Sequence, residues 1–439
     1  TTNNTIMNLW SQIGNLERVL EIYNTIPEPD SISNSTLLHA IARLGSFQDA
    51  EQVWLENRDS IYAYNNMLLA YERHRPDQIS LFYRIWEKDA NKSNLIPKPD
   101  IQSSNIVLRA FSKASHTEVE AFFRSMKRYT SVSYTSYVAA VCSTTGNRQV
   151  IMDAVEQCSD AFDAPTLSNI VYSLAKVPSM ASFCESTVRS SNVRMTLELY
   201  NALIYAWFRE TRSNTEAAWR AMDLYAEIVQ DTALEPNVKT YTNVISALKG
   251  RGDGALEKAV EVVANMEAAS TRGNIHVYTA LIQCYSLSSH PHKAREAWNV
   301  LQRLDSLGLQ PNIVTYNSVI NACEHTRSFD DFSVAEEALL IATKVLEEIR
   351  LASLANHVTY GSFLGVLVNH MPESETRDKL LQLIFQKIVH EGQLSRLVLK
   401  GLEGAAPQTW KLLLEGYDVD NLPEEWTRNV KDVKARYIA

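Results

Sequence analysis

The chain has 439 residues, 45% of them hydrophobic, with only 14 Gly and 13 Pro and a formal net charge of −9. That hydrophobic share excludes a disordered chain, and no run of about 18 or more uninterrupted apolar residues is present to span a membrane. The acidic balance excludes a uniformly basic nucleic-acid binder, so cations serving such a role must be gathered in one place.

The chain opens on Thr1-Thr2-Asn3-Asn4, with no Met and no Arg-rich leader, which predicts a removed leader or a fragment. A two-helix pattern then recurs. The first unit covers Thr1 to Asp30, and later units start near Ser31, Ile61, Ile101, Ser131, Ala164, Leu197, Val238, Ile275, Ile313 and His357. Each first helix carries an apolar stripe at helical spacing, such as Tyr64, Met67, Leu68 and Tyr71, or Tyr316, Val319, Ile320 and Cys323. A short turn follows, as in Leu44-Gly45-Ser46 or Thr145-Gly146-Asn147. The second helix is amphipathic, as in Ala294, Ala297, Trp298 and Leu301, and ends at Pro or Gly, as in Ile26-Pro27-Glu28-Pro29-Asp30.

The clearest repeat of wording is Pro311-Asn312-Ile313-Val314-Thr315-Tyr316-Asn317-Ser318-Val319-Ile320. Asn237 to Ile245, Asn274 to Ile282 and Asn356 to Leu364 repeat it, and Tyr241, Tyr278, Tyr316 and Tyr360 recur at intervals of 37, 38 and 44 residues. Such a period predicts an all-α helical-repeat solenoid, in which each unit buries its apolar face only against its neighbours. About eleven repeats are expected over residues 1–392, with residues 393–439 as a C-terminal helical cap that covers the exposed end through Trp410, Leu412 to Leu414 and Leu422-Pro423-Glu424-Glu425-Trp426. In the long tenth unit, residues 327–332 read as an extended turn, followed by a helix from about Val334 to Leu351. Cys142, Cys158, Cys184, Cys284 and Cys323 form no C-x-x-C, which argues against a disulfide framework or zinc site and suits a reducing compartment. They read as small core residues.

Val-x-Thr-Tyr-Asn-x-Val-Ile opening a helix, a small-residue turn, an Ala-rich second helix and then Gly-x-x-Pro-Asn together resemble the pentatricopeptide repeat. The resemblance spans nearly the whole chain. It is strongest in the units starting at Val238, Ile275, Ile313 and His357, and weakest near Ser131 and Ala164. It implies a right-handed superhelix whose groove binds single-stranded RNA at one base per repeat, a code the family is known for. Two residues per unit are implied to read the base: the fifth, and the last before the next unit. On this implication Asn4 with Asp30 and Asn65 with Asp100 read uracil, and Thr135 with Asp163 reads guanine. Asn201 with Asn237 and Asn317 with Asn356 read pyrimidines. Thr242 with Asn274 and Thr279 with Asn312 read adenine. Ser35 with Ser60, Asn105 with Thr130 and Ser168 with Thr196 depart from common pairs, and Gly361 has no side chain to offer. The implied target is roughly U-N-U-N-G-N-Y-A-A-Y, with its 5′ end at the N-terminal unit.

The chemistry of these residues stands beside the resemblance. Asn, Asp, Thr and Ser are short and can donate to or accept from a base edge. The competing reading is that the fifth residue caps its own helix and the last is a turn residue. Small polar residues at both places through ten consecutive units favour base reading. Eight residues after the fifth come Arg43, Arg73, Lys113, Lys176 and Arg209, with Lys249 one place off, a ladder suited to phosphates. It fails at Gly250, Leu287, His325 and Asn369, so phosphate grip is expected to be stronger in the N-terminal half. The second residue of each unit is implied to sandwich bases. Ile32, Val132, Val314 and Val358 suit that; Glu198 and Pro165 do not.

No enzyme is expected, and no cofactor. His116-Thr117-Glu118 matches half of a deaminase zinc motif without its cysteine pair. Asp330-Asp331 and Glu336-Glu337 read as an acidic helix start, not a nuclease cluster. No G-x-x-x-x-G-K, H-E-x-x-H or G-x-S-x-G occurs, and the tail is short for a catalytic domain. The alternative is a tetratricopeptide-like protein scaffold, although the Trp-x-x-Leu-Gly-x-x-Tyr phrase of that repeat is absent. Protein partners are also conceivable on the convex second helices, where Trp54, Trp219 and Trp298 are expected to pack between helices. Family analogy points to mitochondria or plastids and to RNA processing, stability or translation there.

Overall fold

The computed structural model describes residues 2–111, 115–326, 332–417 and 422–431, with backbone only at 404 and 405. The described residues form 24 α-helices and two short 3-10 turns, with no strand among them. They gather into two compact bodies, residues 1–210 and 211–439.

In the first body the helices alternate as Thr2–Ile13 with Leu16–Asn24, Ser31–Leu44 with Phe47–Glu56, and Ile61–His74 with Ile79–Lys92. Ile101–Ala110 with His116–Ser125, Ser131–Thr144 with Arg148–Glu156, and Ala164–Leu174 with Ala181–Ser190 follow. Leu197–Glu210 closes this body. The second body opens on Ala217–Gln230 and continues with Val238–Leu248 and Asp253–Ala268, Ile275–Ser286 and Lys293–Ser306, and Ile313–Glu324 and Phe332–Leu351. His357–His370 with Glu375–His390 completes the run, and the tail adds Arg396–Ala405 and Pro407–Leu413. The long second helix thus starts at Phe332, two residues before its expected start. Residues 327–331 of the expected turn lie outside the described residues.

Short polar side chains set where the first helices begin. Asp30, Ser60, Asp100, Thr130, Asp163, Asn237, Asn274, Asn312 and Asn356 each sit in extended backbone, and each side-chain oxygen accepts an amide N–H of the first turn. A helix leaves four such N–H groups without a partner, and one oxygen at the cap satisfies one or two of them. The last residue of each unit is therefore the cap. The fifth residue lies a full turn inside the helix, which corrects the reading in which it caps its own helix.

Within each body, every first helix packs on the next first helix, and most second helices wedge against their own first helix and the one after; Arg148–Glu156 packs mainly on its own first helix, and Glu375–His390 on its own first helix and on Pro407–Leu413. The apolar stripe makes this seam: Leu38, Met67, Leu68, Val319 and Ile320 are 0–1% exposed. Each such side chain contributes roughly 1.5–3 kcal/mol by leaving water. The fourth residue is often tyrosine because a large ring fills the seam while its hydroxyl reaches the edge. Tyr360 is 0% exposed and donates to Glu391 Oε2 at 2.6 Å. Tyr278, 2% exposed, donates to Glu267 Oε1 at 3.3 Å. Four of the five cysteines are buried, and burial pushes the thiols of Cys142, Cys158 and Cys284 up to about 12. Trp54 packs edge-on against Tyr64 and Phe82, but Trp219 remains 40% exposed and does not pack as expected.

The tail continues the stack. Arg396–Ala405 lies on His357–His370 as another first helix would, with Ser395 capping it at Val398 N. The chain then folds back: Leu394 N donates to Trp426 O at 2.8 Å and Asn429 N to Gly392 O at 2.9 Å.

Two outcomes follow for stability. Asn312→Ala is expected to cost about 0.5–2 kcal/mol by removing the cap, measured by urea denaturation followed at 222 nm; an unchanged midpoint would contradict the capping role. Hydrogen bonds from Ser33 and from Thr166 hold the carboxyls of Asp30 and Asp163 below their ordinary value of 3.8. A depressed folded value means that this stabilisation is present above pH 3.8 and is lost as pH falls through the lowered value. Replacing Asp30 and Asp163 by Asn should flatten that acid limb of an unfolding profile.

Candidate nucleic-acid interface

The cap is also where consecutive units meet. In the first body, Ser103 Oγ lies 2.9 Å from its own cap, Asp100 Oδ1, and 2.6 Å from Oδ1 of Asn65, the fifth residue of the preceding unit. Asn105 Nδ2 donates to Thr130 Oγ1 at 3.4 Å. In the second body, Thr279 and Thr315 share a hydroxyl bond of 2.8 Å, and Thr315 donates to Asn312 Oδ1 at 3.2 Å. Asn317 Nδ2 lies 3.3 Å from Asn356 Oδ1, and Thr359 Oγ1 lies 2.8 Å from Asn317 Oδ1. So the fifth and last residues of four units meet, directly or through the hydroxyl three residues beyond the cap.

The geometry does not join every predicted pair. Thr135, Ser168 and Thr242 turn their hydroxyls back to Val132 O, Ala164 O and Val238 O of their own helices. Among the described residues no bond links Thr135 to Asp163, Ser168 to Thr196, Thr242 to Asn274, Ser35 to Ser60 or Asn4 to Asp30. Asn201 and Asn237 fall in different bodies. Gly361 packs beside Leu397 of the tail.

Capping occupies one oxygen and leaves the other end of the side chain. Asp30, Asp100 and Asp163 use Oδ1 and keep Oδ2 as an acceptor; Asn274 and Asn312 use Oδ1 and keep Nδ2 as a donor. The fifth residues are more deeply set. Asn65 is 5% exposed and Asn105 7% exposed. Asn4 Oδ1, Asn65 Nδ2 and Asn105 Oδ1 are buried without a hydrogen-bond partner. Leaving such an atom unpaired costs roughly 1–3 kcal/mol, so three at the same repeat position call for a partner that the free chain does not supply.

The second residue of a unit lies three places before the fifth, on the same helix face. Ile32 is 63%, Val132 49% and Val314 52% exposed, and Val358 is half-buried. Glu198 and Pro165 are exposed at that place. Tyr62, 66% exposed, holds it in the unit starting at Ile61 and escaped the sequence reading, although counting from the unit start finds it. Its ring is the best stacking surface in the series.

The cation ladder is partly built. Arg43 and Arg73 are exposed and line one cleft with His39 and Glu72. Arg209 is exposed on its helix, and Lys176 is exposed in the turn after Ala164–Leu174. Lys113 lies outside the described residues. Lys249 departs: it is half-buried, burial lowers its pKa, and its amine donates to Gln283 Oε1 at 2.9 Å. One place off the ladder turns its chain into the next unit and away from the open edge. Arg109, another cation the sequence did not single out, pairs with Glu72 at 3.1 Å.

The candidate catalytic groups have structural partners. Glu118 completes a capping box with Ser115, accepting Ser115 N at 3.0 Å, and these bonds lower its pKa. Glu337 accepts from Arg295 at 2.6 Å. Asp330 and Asp331 lie outside the described residues. Among the described residues no three His, Cys, Asp or Glu side chains are placed to share a metal ion.

Comparison with known proteins finds similarity to one repeat family. The pentatricopeptide repeat domain model matches residues 224–288 and 261–325. Pentatricopeptide repeat-containing proteins of Arabidopsis thaliana are 29% identical over 114 residues, 26% over 200 and 20% over 450, spanning 26%, 40% and 87% of this chain. The chain spans only 16%, 33% and 60% of the lengths of these relatives. Among solved structures, the pentatricopeptide repeat protein PPR10 in complex with an 18-nt psaJ RNA element is 16% identical with a TM-score of 0.40, covering 94% of this chain and 73% of that one. Yeast Rmd9p in complex with a 16nt target RNA is 11% identical with a TM-score of 0.47, covering 91% and 89%.

The orphaned amides make a test independent of any ligand. Asn105→Ala removes a buried unpaired oxygen together with the long 3.4 Å bond from Nδ2 to Thr130 Oγ1, effects of opposite sign, and should change the stability of the free protein by less than about 0.5 kcal/mol, where a cap deletion loses about 1 kcal/mol. Thermal melts of the two variants side by side check this. A large loss for Asn105→Ala would show that the amide serves the fold.

Proposed function

We propose that this chain, which belongs to the pentatricopeptide-repeat proteins, binds single-stranded RNA by sequence, one base per repeat, and acts without catalysis of its own. The observation that carries the reading is the set of buried, unpartnered amide atoms on Asn4, Asn65 and Asn105, all at the same repeat position. A base edge supplies the missing partner. The cap residue supplies the second contact, because its helix holds one atom and the other remains for the base.

The base-contacting set is the nine pairs that lie within one body, from Asn4/Asp30 to Asn317/Asn356, together with Asn201 and Asn237 each in its own body, with Ile32, Tyr62, Val132, Val314 and Val358 stacking between bases. Asp presents only acceptors, which suits an imino N–H of uracil or guanine; Asn presents a donor, which suits a ring nitrogen of adenine or a carbonyl of a pyrimidine. Arg43, Arg73, Lys176 and Arg209 take phosphates, and Lys113 belongs with them by register. Lys249 is better placed to hold Gln283 than to meet a phosphate. The tail, stacked as a further helix pair with its end folded back on Gly392, serves as the cap of the array. Among the described residues no helix is long and apolar enough to cross a membrane. A mitochondrial or plastid role in RNA processing, stability or translation is the reading that the family favours.

A helical scaffold for protein partners is the second reading. The net charge of −9 and the 40% exposure of Trp219 favour it.

Fluorescence anisotropy with RNA carrying U-N-U-N-G-N-Y-A-A-Y, a scrambled RNA of equal composition and the matching DNA separates the two. Preference for the first RNA supports the code; no binding to any of them at low salt leaves the scaffold. Thr242→Asn should weaken adenine preference at the eighth nucleotide alone. Arg43→Gln and Arg73→Gln should each lower the salt slope of log K by about 1 without altering sequence preference.

A further inference from the structure

The ten predicted pairs end at Asn317/Asn356, and the eleventh place falls on Gly361, where no side chain reads a base. The structure puts a cavity of about 430 Å³ there, wholly within the second body. Its walls are Asn321 and Glu324 of helix Ile313–Glu324, Gly361 and Gly365 of His357–His370, and Leu397 and Gly401 of Arg396–Ala405. That volume lies in the range of small-ligand clefts, roughly 300–1,000 Å³.

The glycines shape it. A methyl at Gly365 would overlap the Glu324 carboxylate, so the missing side chain is what lets this carboxylate lie along the helix. A methyl at Gly401 would meet nothing within 4 Å, so this residue faces open space. Leu397, 54% exposed, supplies an apolar wall.

Two polar groups of the lining are acceptors, the Glu324 carboxylate and Asn321 Oδ1; His325, Ser362 and Asn369 also line it, and Asn369 Nδ2 is already given to Glu324 O at 2.8 Å. Glu324 is half-buried, and burial raises its pKa against the opposing effects of His325 and Ser362 beside it. Asn321 Oδ1 is buried with no partner. An occupant that relieves both must bring several N–H donors on one edge together with a flat apolar face. Guanine does so, with N1–H and the N2 amine side by side. Adenine and cytosine bring one amine, and uracil one imino N–H.

We propose that this cavity takes a guanine base at the nucleotide 3′ of the tenth, with Glu324 as the specificity-determining residue and Asn321 accepting from the same edge. The inference rests on the RNA-binding reading and replaces the fifth-and-last pair at this one place by a pocket.

The test uses the full chain and eleven-nucleotide RNAs, U-N-U-N-G-N-Y-A-A-Y followed by G, inosine, A, C or U, with the ten-nucleotide RNA as reference. Guanine should bind about tenfold or more tighter than A, C or U, the ratio that a bidentate base contact gives. Inosine, which lacks the N2 amine, should fall between. Glu324→Gln should reduce the guanine preference to within about twofold and leave affinity for the ten-nucleotide RNA unchanged. Gly365→Ala should do the same by displacing the carboxylate, and it should fold, because what must move is the Glu324 side chain from Cγ outward and no backbone, and Ala favours a helix. Equal binding of all five RNAs, or a guanine preference that survives both variants, overturns the pocket while leaving the repeat code standing. No binding to any RNA overturns the code, and the pocket with it.

Discussion

A single side-chain oxygen at the start of each first helix holds the fold and the interface together. In Asn312 and Asn356 that oxygen accepts two backbone N–H groups and a hydroxyl. Remove it and the first turn loses its partner, and with it the placement of the fourth-residue tyrosine in the seam. The same atom fixes the rotamer of the side chain, so the remaining donor or acceptor is presented in one orientation. Stability of the helix start and chemistry at the open edge are thus properties of one residue. An Asp-to-Asn exchange keeps the cap and inverts the hydrogen-bond character of the free end.

Much of this was legible in the sequence because the signals are local. The Asn, Asp, Ser and Thr caps mark helix starts, and the Tyr-x-x-Val-Ile stripe marks the buried face. Both depend only on residues within one or two turns, and the all-α repeat architecture follows from them. What was not legible depends on the neighbouring unit. The hydroxyl of Ser103 reaches Asn65 across 38 residues of chain, and Thr359 reaches Asn317 across 42. No periodicity in the sequence tells that these meet while Thr242 turns back on its own helix. The competing reading of the fifth residue as a cap could be set aside only with the structure, since Asn and Thr favour caps and only the backbone shows which residue is in extended conformation. Lys249 illustrates a third limit. It is the residue that ends helix Val238–Leu248, with φ −58° and ψ 127°, and from that turn its amine reaches Gln283 of the next unit rather than the edge.

The acidic balance of the whole chain and the cationic edge of the first body are compatible because the charges are segregated. Many carboxylates are spent within the fold: Glu118 in a capping box, Glu337 on Arg295, Glu267 on Arg303 and Glu391 on Tyr360. Arg43 and Arg73 stand on one edge of adjacent first helices, with Glu72 beside them turned to Arg109. Average charge therefore says little about what a polyanion meets as it approaches that edge, and the range over which it is felt is about 10 Å at moderate salt.

The hydroxyl of Thr359 has one hydrogen and two oxygens within reach, Asn317 Oδ1 at 2.8 Å and Asn356 Oδ1 at 3.1 Å. It can satisfy either and never both. When it points to Asn317, the Asn356 oxygen has more accepting capacity to spare; when it swings to Asn356, the reverse holds. The joint is a rotor with two settings of nearly equal reach, and each setting leaves the open edge a different balance of acceptor and donor. Uracil and cytosine differ in that same balance, at the ring nitrogen and the neighbouring exocyclic atom. On the proposed RNA-binding reading, a site that resets itself by turning one O–H bond would tolerate both pyrimidines at little cost, through the threonine three residues past the cap.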